Sequence, residues 1–88
     1  MVRDNPRAQR YELEVDGVVA FTTYDRKDGV VTFIHTKVPD SLAGKGVGSA
    51  LAKGALDQVR AKGEKVIARC PFIAGYIAKH AEYQDLIA

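Results

Sequence analysis

The segment Pro39-Asp-Ser-Leu-Ala-Gly-Lys-Gly-Val-Gly-Ser-Ala-Leu51 joins a run of strand-forming residues to an amphipathic helical pattern, and the rest of the fold can be worked out from it. Its three glycines, Gly44, Gly46 and Gly48, are separated by single residues where the helix is predicted to begin. The first N–H groups of a helix have no partner within the helix and lie at the positive end of its dipole. Because the loop has little side-chain bulk, these groups can converge on an anion, so the segment predicts a phosphate-binding loop.

Two known phosphate-binding motifs do not fit this loop. The dinucleotide fingerprint G-x-G-x-x-G requires glycine where Ser49 stands, and the P-loop requires a Gly-Lys-Ser/Thr triplet that the chain lacks. A simpler alternative is a tight strand-to-helix turn, since glycine is common in turns. Three alternating glycines exceed what a turn requires, which favours ligand binding.

Length and composition bound the class of protein. The chain has 88 residues, of which 47% are hydrophobic and 27% are charged, as expected for one soluble globular domain spanning residues 1–88. Its single cysteine excludes an intrachain disulfide and fits a reducing, cytoplasmic setting. A formal net charge of +2 is too weak to indicate a nucleic-acid partner. We find no signal peptide and no apolar run long enough for a bilayer, so we expect no membrane partner.

The N-terminal half has the pattern of an antiparallel meander. Residues 1–9 predict a flexible lead-in, and apolar residues that alternate with glutamates predict a strand at 11–15. Asp16-Gly17 is a strong signal for a tight hairpin turn. Strands are then predicted at 18–24 and, after a second turn, at 30–38.

The C-terminal half adds a helix, a strand and a second helix. Apolar residues recur at helical spacing from Val47 until Lys62-Gly63 ends the pattern. A fourth strand is predicted at 65–70, Pro71 opens the second helix, and the tail forms a short helical turn. The order β-β-β-α-β-α predicts an α+β fold with a mixed sheet. In it a three-strand antiparallel meander is followed by a parallel fourth strand, and the helices pack on the sheet.

Cys70 and His35 are the candidate catalytic residues. Cys70 is predicted at the N-terminus of the second helix, where it is either a nucleophile or acyl-carrying thiol, or a small buried apolar residue. His35 is predicted on the strand face of Val31 and Phe33, as a general base or as a histidine hydrogen-bonded within the fold. The parallel crossover brings the glycine loop and Cys70 to one edge of the sheet. No spacing of histidines or acidic residues predicts a metal site.

The strand that ends at Val38, the glycine loop and the helix that follows resemble the acetyl-CoA pyrophosphate loop of GNAT-type N-acetyltransferases. The chain as a whole more closely resembles the short stand-alone GNAT-like proteins of the YjdJ type. The resemblance covers about residues 10–87. It is carried by the glycine loop and by His35-Thr-Lys-Val-Pro39, Cys70-Pro-Phe72, Tyr76-Ile-Ala-Lys-His80 and Tyr83-Gln-Asp-Leu86.

The resemblance implies an acetyl-CoA-dependent N-acetyltransferase with an amine acceptor, either a small molecule or a protein. We expect the chain to act as a monomer or weak dimer. It implies pyrophosphate on the loop, pantetheine between the separating ends of two strands, and a thioester directed towards Cys70. An acetyl group would then pass directly to an amine or transiently to Cys70. The predicted cofactor-binding residues are Val38, Gly44, Lys45, Gly46, Val47, Gly48, Ser49, Cys70, Pro71 and Tyr76.

The chain departs from the family pattern in four respects. Ala43 stands where the loop usually opens with Arg or Gln, Lys37 where the short group often has Glu, and Ala81 where it often has Pro. The N-terminal helices that help to form the acceptor pocket in full-length enzymes are missing from this sequence. Two alternatives stay open: a non-catalytic module that binds, carries or senses acetyl-CoA, and a structural or interaction domain whose glycine loop is only a turn.

Overall fold

The computed structural model describes residues 1–88, which form five strands, two helices and two short 3-10 turns. The strands are β1 Arg3–Asn5, β2 Arg10–Val15, β3 Val18–Lys27, β4 Val30–Lys37 and β5 Lys65–Ala68, and the helices are α1 Val47–Ala61 and α2 Pro71–Lys79. The 3-10 turns are Asp40–Leu42 and Ala81–Leu86.

The strands form one mixed sheet in the order β1-β2-β3-β4-β5. The first four strands pair antiparallel, while β4 and β5 pair parallel and are joined through α1. The predicted α+β fold is therefore confirmed, with both helices and the C-terminal turn where the sequence indicated them. The predicted order β-β-β-α-β-α omits one strand of the structure, the N-terminal β1.

The prediction of a flexible lead-in is wrong for the first residues of the chain. β1 pairs with β2 in a short register that sets Arg3 opposite Glu12. Val2 is 8% exposed and lies over α1, where a Cβ added to Gly54 would overlap with Val2 Cγ2. Because β1 is short and polar, period-two alternation could not reveal it, and contacts with distant residues hold it in place.

Both helices cover the same face of the sheet. They enclose one cluster of buried side chains that includes Phe33, Leu56 and Ile73. The opposite face has no helix, and there Ile34 and Ile67 remain 51% and 43% exposed. Neither helix is both long enough and apolar enough to cross a membrane.

A buried carboxylate ties the N-terminal edge of the sheet together. Glu12 is 5% exposed and accepts hydrogen bonds from Arg3 at 2.9 Å, from Asn5 at 3.1 Å and from Arg10. The bonds from Arg3 and Arg10 lower the pKa of Glu12 from 4.5 to about 2. Glu12 therefore stabilises the folded protein in its ionised form.

This pKa shift predicts how stability depends on pH. The folded-state pKa of Glu12 is depressed, so its contribution is complete above about pH 4.5 and is lost as the pH falls towards about 2. We expect Glu12→Gln to lower the free energy of unfolding by about 1–2 kcal/mol at pH 7, with the difference disappearing across that window. Thermal unfolding of both proteins between pH 7 and pH 2 measures the effect.

Glu14→Gln is the matched control, because Glu14 lies two residues along the same strand, is exposed and makes no ion pair. Its unfolding curve should follow that of the native protein at every pH. A constant gap between Glu12→Gln and the native protein down to pH 2 would contradict the proposed role of the carboxylate.

Candidate functional site

The glycine loop is built by two residues with positive φ. After β4 the chain makes the 3-10 turn at Asp40–Leu42, and Gly44 and Gly46 then adopt φ values of +78° and +73°. Only glycine enters this region without steric cost. Gly46 is the N-cap of α1, and its carbonyl accepts the N–H of Ala50 at 3.0 Å, so the helix begins at Val47 as predicted.

The loop leaves five backbone N–H groups without an acceptor in the protein. They belong to Gly44, Gly46, Val47, Gly48 and Ser49. Four of the five are consecutive and lie at the N-terminus of a 15-residue helix. Unpaired donors and the positive end of a helix dipole together form a site for an anion such as phosphate.

Gly48 has a packing role that the sequence did not reveal. A Cβ at this position would lie 2.8 Å from Phe72 Cζ and 3.5 Å from Val38 Cγ2. Glycine therefore allows the first turn of α1 to lie directly against α2 and the end of β4. Lys45 lies at the rim of the loop, where its Nζ is 3.9 Å from Asp16 Oδ2 in the neighbouring hairpin turn.

The two parallel strands separate beside this loop. Their register ends where Phe33 faces Ala68, and the N–H groups of Arg69 and Cys70 both donate to the Phe33 carbonyl at 3.0 Å. Beyond this point β4 continues to Lys37 with β3 as its only partner. The predicted opening between the parallel strands is therefore present, and Val38 lies at its end.

A β-bulge in β4 changes which side chains face the site. Thr23 pairs with His35 and Tyr24 pairs with Phe33, so Ile34 is an extra residue without a partner on β3. A bulge shifts the alternation of side chains by one position. The prediction that His35 shares a face with Phe33 is consequently wrong: His35 is exposed on the uncovered face of the sheet.

Thr36 takes the position that His35 was predicted to occupy. Its Oγ1 lies 3.0 Å from Cys70 Sγ and donates to Thr22 Oγ1, also at 3.0 Å. Cys70 is 3% exposed at the N-cap of α2, and Thr22 is fully buried. Sequence reasoning missed both threonines, because no local signal marks the bulge that turns Thr36 inward.

A cleft of about 260 Å³ lies between the N-terminus of α1 and the exposed side of α2. Its lining residues are Ser49, Pro71, Phe72, Gly75, Tyr76, Lys79 and His80. The cleft therefore extends from Ser49, the last of the residues with an unpaired N–H group, to the helix that follows Cys70. A larger cavity of about 730 Å³ lies against the N-terminal strands and includes no residue of the glycine loop.

The aromatic residues of the C-terminal segment mainly support the wall of this cleft. The Tyr76 ring stacks on His80 with centroids 3.9 Å apart, and burial raises the pKa of Tyr76. His80 Nδ1 lies 2.8 Å from the Tyr76 carbonyl oxygen and so anchors the turn. Burial, together with a hydrogen bond to Asp57, raises the pKa of Tyr83 to about 12.

The structure thus brings most of the predicted site together at one end of the sheet. The glycine loop, Val38, Cys70, Pro71 and Tyr76 surround the point where the parallel strands separate. His35 is close in sequence but lies on the other face. This arrangement defines a protein with a helix N-terminus of unpaired N–H groups beside an opening in a mixed sheet.

Comparison with known proteins agrees with this description. The sequence profile of the GCN5-related N-acetyl-transferase family matches residues 10–86, and the chain belongs to this family of acyltransferases. Its fold is similar to the solution NMR structure of a GCN5-like protein from Staphylococcus aureus, with 28% sequence identity and a TM-score of 0.74. The alignment covers 100% of this chain and 87% of the other. No curated protein sequence matches the chain. The resemblance inferred from the sequence is confirmed.

Proposed function

We propose that this acyltransferase uses acetyl-CoA and transfers the acetyl group to a primary amine, on a small molecule or on a protein. The observation that carries the proposal is the set of unpaired N–H groups from Gly44 to Ser49 beside the opening between β4 and β5. Five unpaired donors within six consecutive residues can serve a diphosphate, and a helix N-terminus favours its charge. Acetyl-CoA supplies an activated acetyl group, whose transfer to an amine forms an amide and releases CoA as a thiol.

The residues around the opening have distinct proposed roles. The glycine loop holds the diphosphate, while Lys45 at the rim adds a positive charge that solvent partly screens. Val38 lies against Gly48 of the loop, and Pro71 lines the cleft and directly follows Cys70 in the chain, so pantetheine is proposed to pass between them. Bound pantetheine would cover these apolar side chains and displace water from the reacting end, which strengthens electrostatic interactions there.

Cys70 and His35 lie on opposite faces of the sheet at the opening, which supports two different roles. The buried Cys70 sulfur is the candidate carrier for a transient acetyl group on the helix side. The exposed His35 is the candidate base for an amine that approaches from the uncovered face. Direct transfer requires only the histidine, whereas transfer through the enzyme requires both residues.

Mass spectrometry of the protein incubated with acetyl-CoA tests the proposal. Under native conditions we expect one acetyl-CoA per chain. Under denaturing conditions, an added acetyl mass that is absent from Cys70→Ala would identify transfer through the thiol. Failure to bind acetyl-CoA in the native spectrum would overturn the proposal.

Turnover on a panel of primary amines then separates an enzyme from a binding module. We expect CoA release that depends on the amine and falls sharply in His35→Ala. Binding without release on any amine would favour the non-catalytic alternative. In either case acetyl-CoA should raise the unfolding temperature, since a ligand at a hundred times its Kd stabilises the native state by about 2.7 kcal/mol.

A further inference from the structure

We propose that Thr36 is a positioning residue for Cys70. The Thr36 hydroxyl accepts a hydrogen bond from the neutral thiol and donates one to the sulfur when the thiol is ionised. This inference rests on the proposed function, which gives the sulfur its use as an acyl acceptor. It begins from the bulge at Ile34, which places the Thr36 hydroxyl rather than the His35 ring against the sulfur.

The three polar groups form a short chain from the sulfur into the core. Cys70 Sγ lies 3.0 Å from Thr36 Oγ1, which lies 3.0 Å from Thr22 Oγ1. The sequence separation between Thr36 and Cys70 is 34 residues, so the contact is made only in the folded protein. Hydrogen bonds connect all three groups, and no buried side-chain polar atom of the protein lacks a partner.

The hydroxyl of Thr36 carries one hydrogen for two contacts. With a neutral thiol, the S–H donates to Thr36 Oγ1, and the Thr36 hydroxyl donates to Thr22. When the thiol proton leaves to water or buffer, the sulfur can only accept. The Thr36 hydroxyl then rotates to donate to the sulfur, and the Thr22 hydroxyl donates to Thr36. Two rotations change the direction of the chain without moving a heavy atom.

No charged group competes with Thr36 for the sulfur. His35 and Lys37 on β4 point to the uncovered face, and Arg69 and Tyr76 make no hydrogen bond to Cys70. On β3, the Tyr24 hydroxyl is engaged by Asp4 and Arg26. The buried residues of α1 are all apolar, and none of its side chains makes a hydrogen bond to the thiol. The hydroxyl is therefore the single hydrogen-bonding partner of the sulfur.

Thr36→Val tests the inference, because valine keeps the shape of threonine and removes the hydroxyl. Cys70 is the only cysteine of the chain, so its ionisation can be followed by thiolate absorbance in the ultraviolet, with Cys70→Ala as the blank. We expect the midpoint of this titration to rise by about one pH unit in Thr36→Val. Alkylation by iodoacetamide at pH 7 should slow by about tenfold.

Three variants separate positioning from packing. Thr36→Ser retains the hydroxyl and should return the midpoint to that of the native protein. Thr22→Val leaves the Thr36 hydroxyl free to turn to the sulfur and should change the midpoint little. Thr23→Val removes a neighbouring exposed hydroxyl, which donates to the His35 carbonyl at 3.3 Å, and should have no effect. Thr36→Ala replaces Thr36→Val if valine prevents folding.

An unchanged midpoint in a folded Thr36→Val or Thr36→Ala protein would overturn the inference, even if that variant were less stable. Failure of Thr36→Ser to restore the midpoint would do the same. The titration uses no acetyl-CoA, so it remains informative if the proposed function fails. A shifted midpoint with no acetyl transfer in the native protein would refute the proposed function and leave the role of Thr36 intact.

Discussion

Gly46→Val is expected to weaken acetyl-CoA binding by about a hundredfold or more while the protein remains folded. A hydrogen bond to a charged group contributes about 1.5–3 kcal/mol to the free energy of binding. Loss of two such bonds to the diphosphate therefore accounts for a hundredfold or greater loss of affinity. Gly46 donates one of the unpaired N–H groups and holds the next three in place as the N-cap of α1.

The effect of valine comes from backbone conformation. A Cβ at Gly46 would meet no atom within 4 Å, so there is no clash to relieve. The residue has φ +73° and ψ +12°, where a β-branched side chain is strained. To escape this region the loop must change its path, which turns its N–H groups away from a common point.

Gly29→Val is the matched control for strain. Gly29 has φ +78° and also meets nothing within 4 Å, but it lies in the turn at the other end of β4. Both variants should lose similar unfolding free energy, and only Gly46→Val should lose affinity in isothermal titration with acetyl-CoA. Equal affinity in the two variants would refute the assignment of the glycine loop as the diphosphate site.

Arg26→Ala is expected to cause the largest loss of stability, about 3 kcal/mol, because it breaks a largely buried ionic network. Arg26 donates to both carboxylate oxygens of Glu64 at 2.8 and 3.3 Å, to Asp4 at 3.2 Å and to the Tyr11 hydroxyl at 2.9 Å. Its guanidinium also lies 4.6 Å from the Tyr24 ring centroid. Alanine would leave the mostly buried carboxylate of Glu64 without a cation and that of Asp4 with Lys62 alone.

Thermal unfolding measures this loss. In a protein of this size, a loss of about 3 kcal/mol corresponds to a fall in Tm of about 12–24 °C. Arg60→Ala is the control, because Arg60 forms a two-bond pair with Asp85 at 2.9 Å on the exposed surface, where ion pairs contribute little. If the two variants unfold at the same temperature, the network around Arg26 does not stabilise the fold as proposed.

Local signals in the sequence were sufficient for most of the fold. Asp16 and Gly17 adopt φ values of +53° and +76°, the paired positive values of a tight hairpin turn, and Asp28 and Gly29 repeat them. Period-two alternation located the central strands, and helical spacing located α1 from Val47. The glycine loop and its helix N-terminus could also be predicted, because positive φ and unpaired N–H groups are properties of a few consecutive residues.

Features that depend on contacts between distant residues could not be predicted from local sequence signals. The segment at β1 is held by distant contacts, such as the hydrogen bond that Gln58 Nε2 donates at 2.6 Å to the carbonyl of Val2, just before the strand and 56 residues away. Nothing within the segment itself marks it as a strand. The bulge at Ile34 is visible only when β3 and β4 are aligned, since one strand alone has no register.

The chemistry of the site follows the same division. Residues near one another in sequence specify the unpaired N–H groups that are proposed to bind a diphosphate, because backbone conformation and helix polarity are local properties. Which side chain meets the Cys70 sulfur depends on a one-residue offset between two paired strands, and this offset exchanges His35 for Thr36. Alternation along a single strand cannot reveal that offset. The sequence of one strand shows only that successive side chains point to opposite faces, whereas register is defined by how two strands pair.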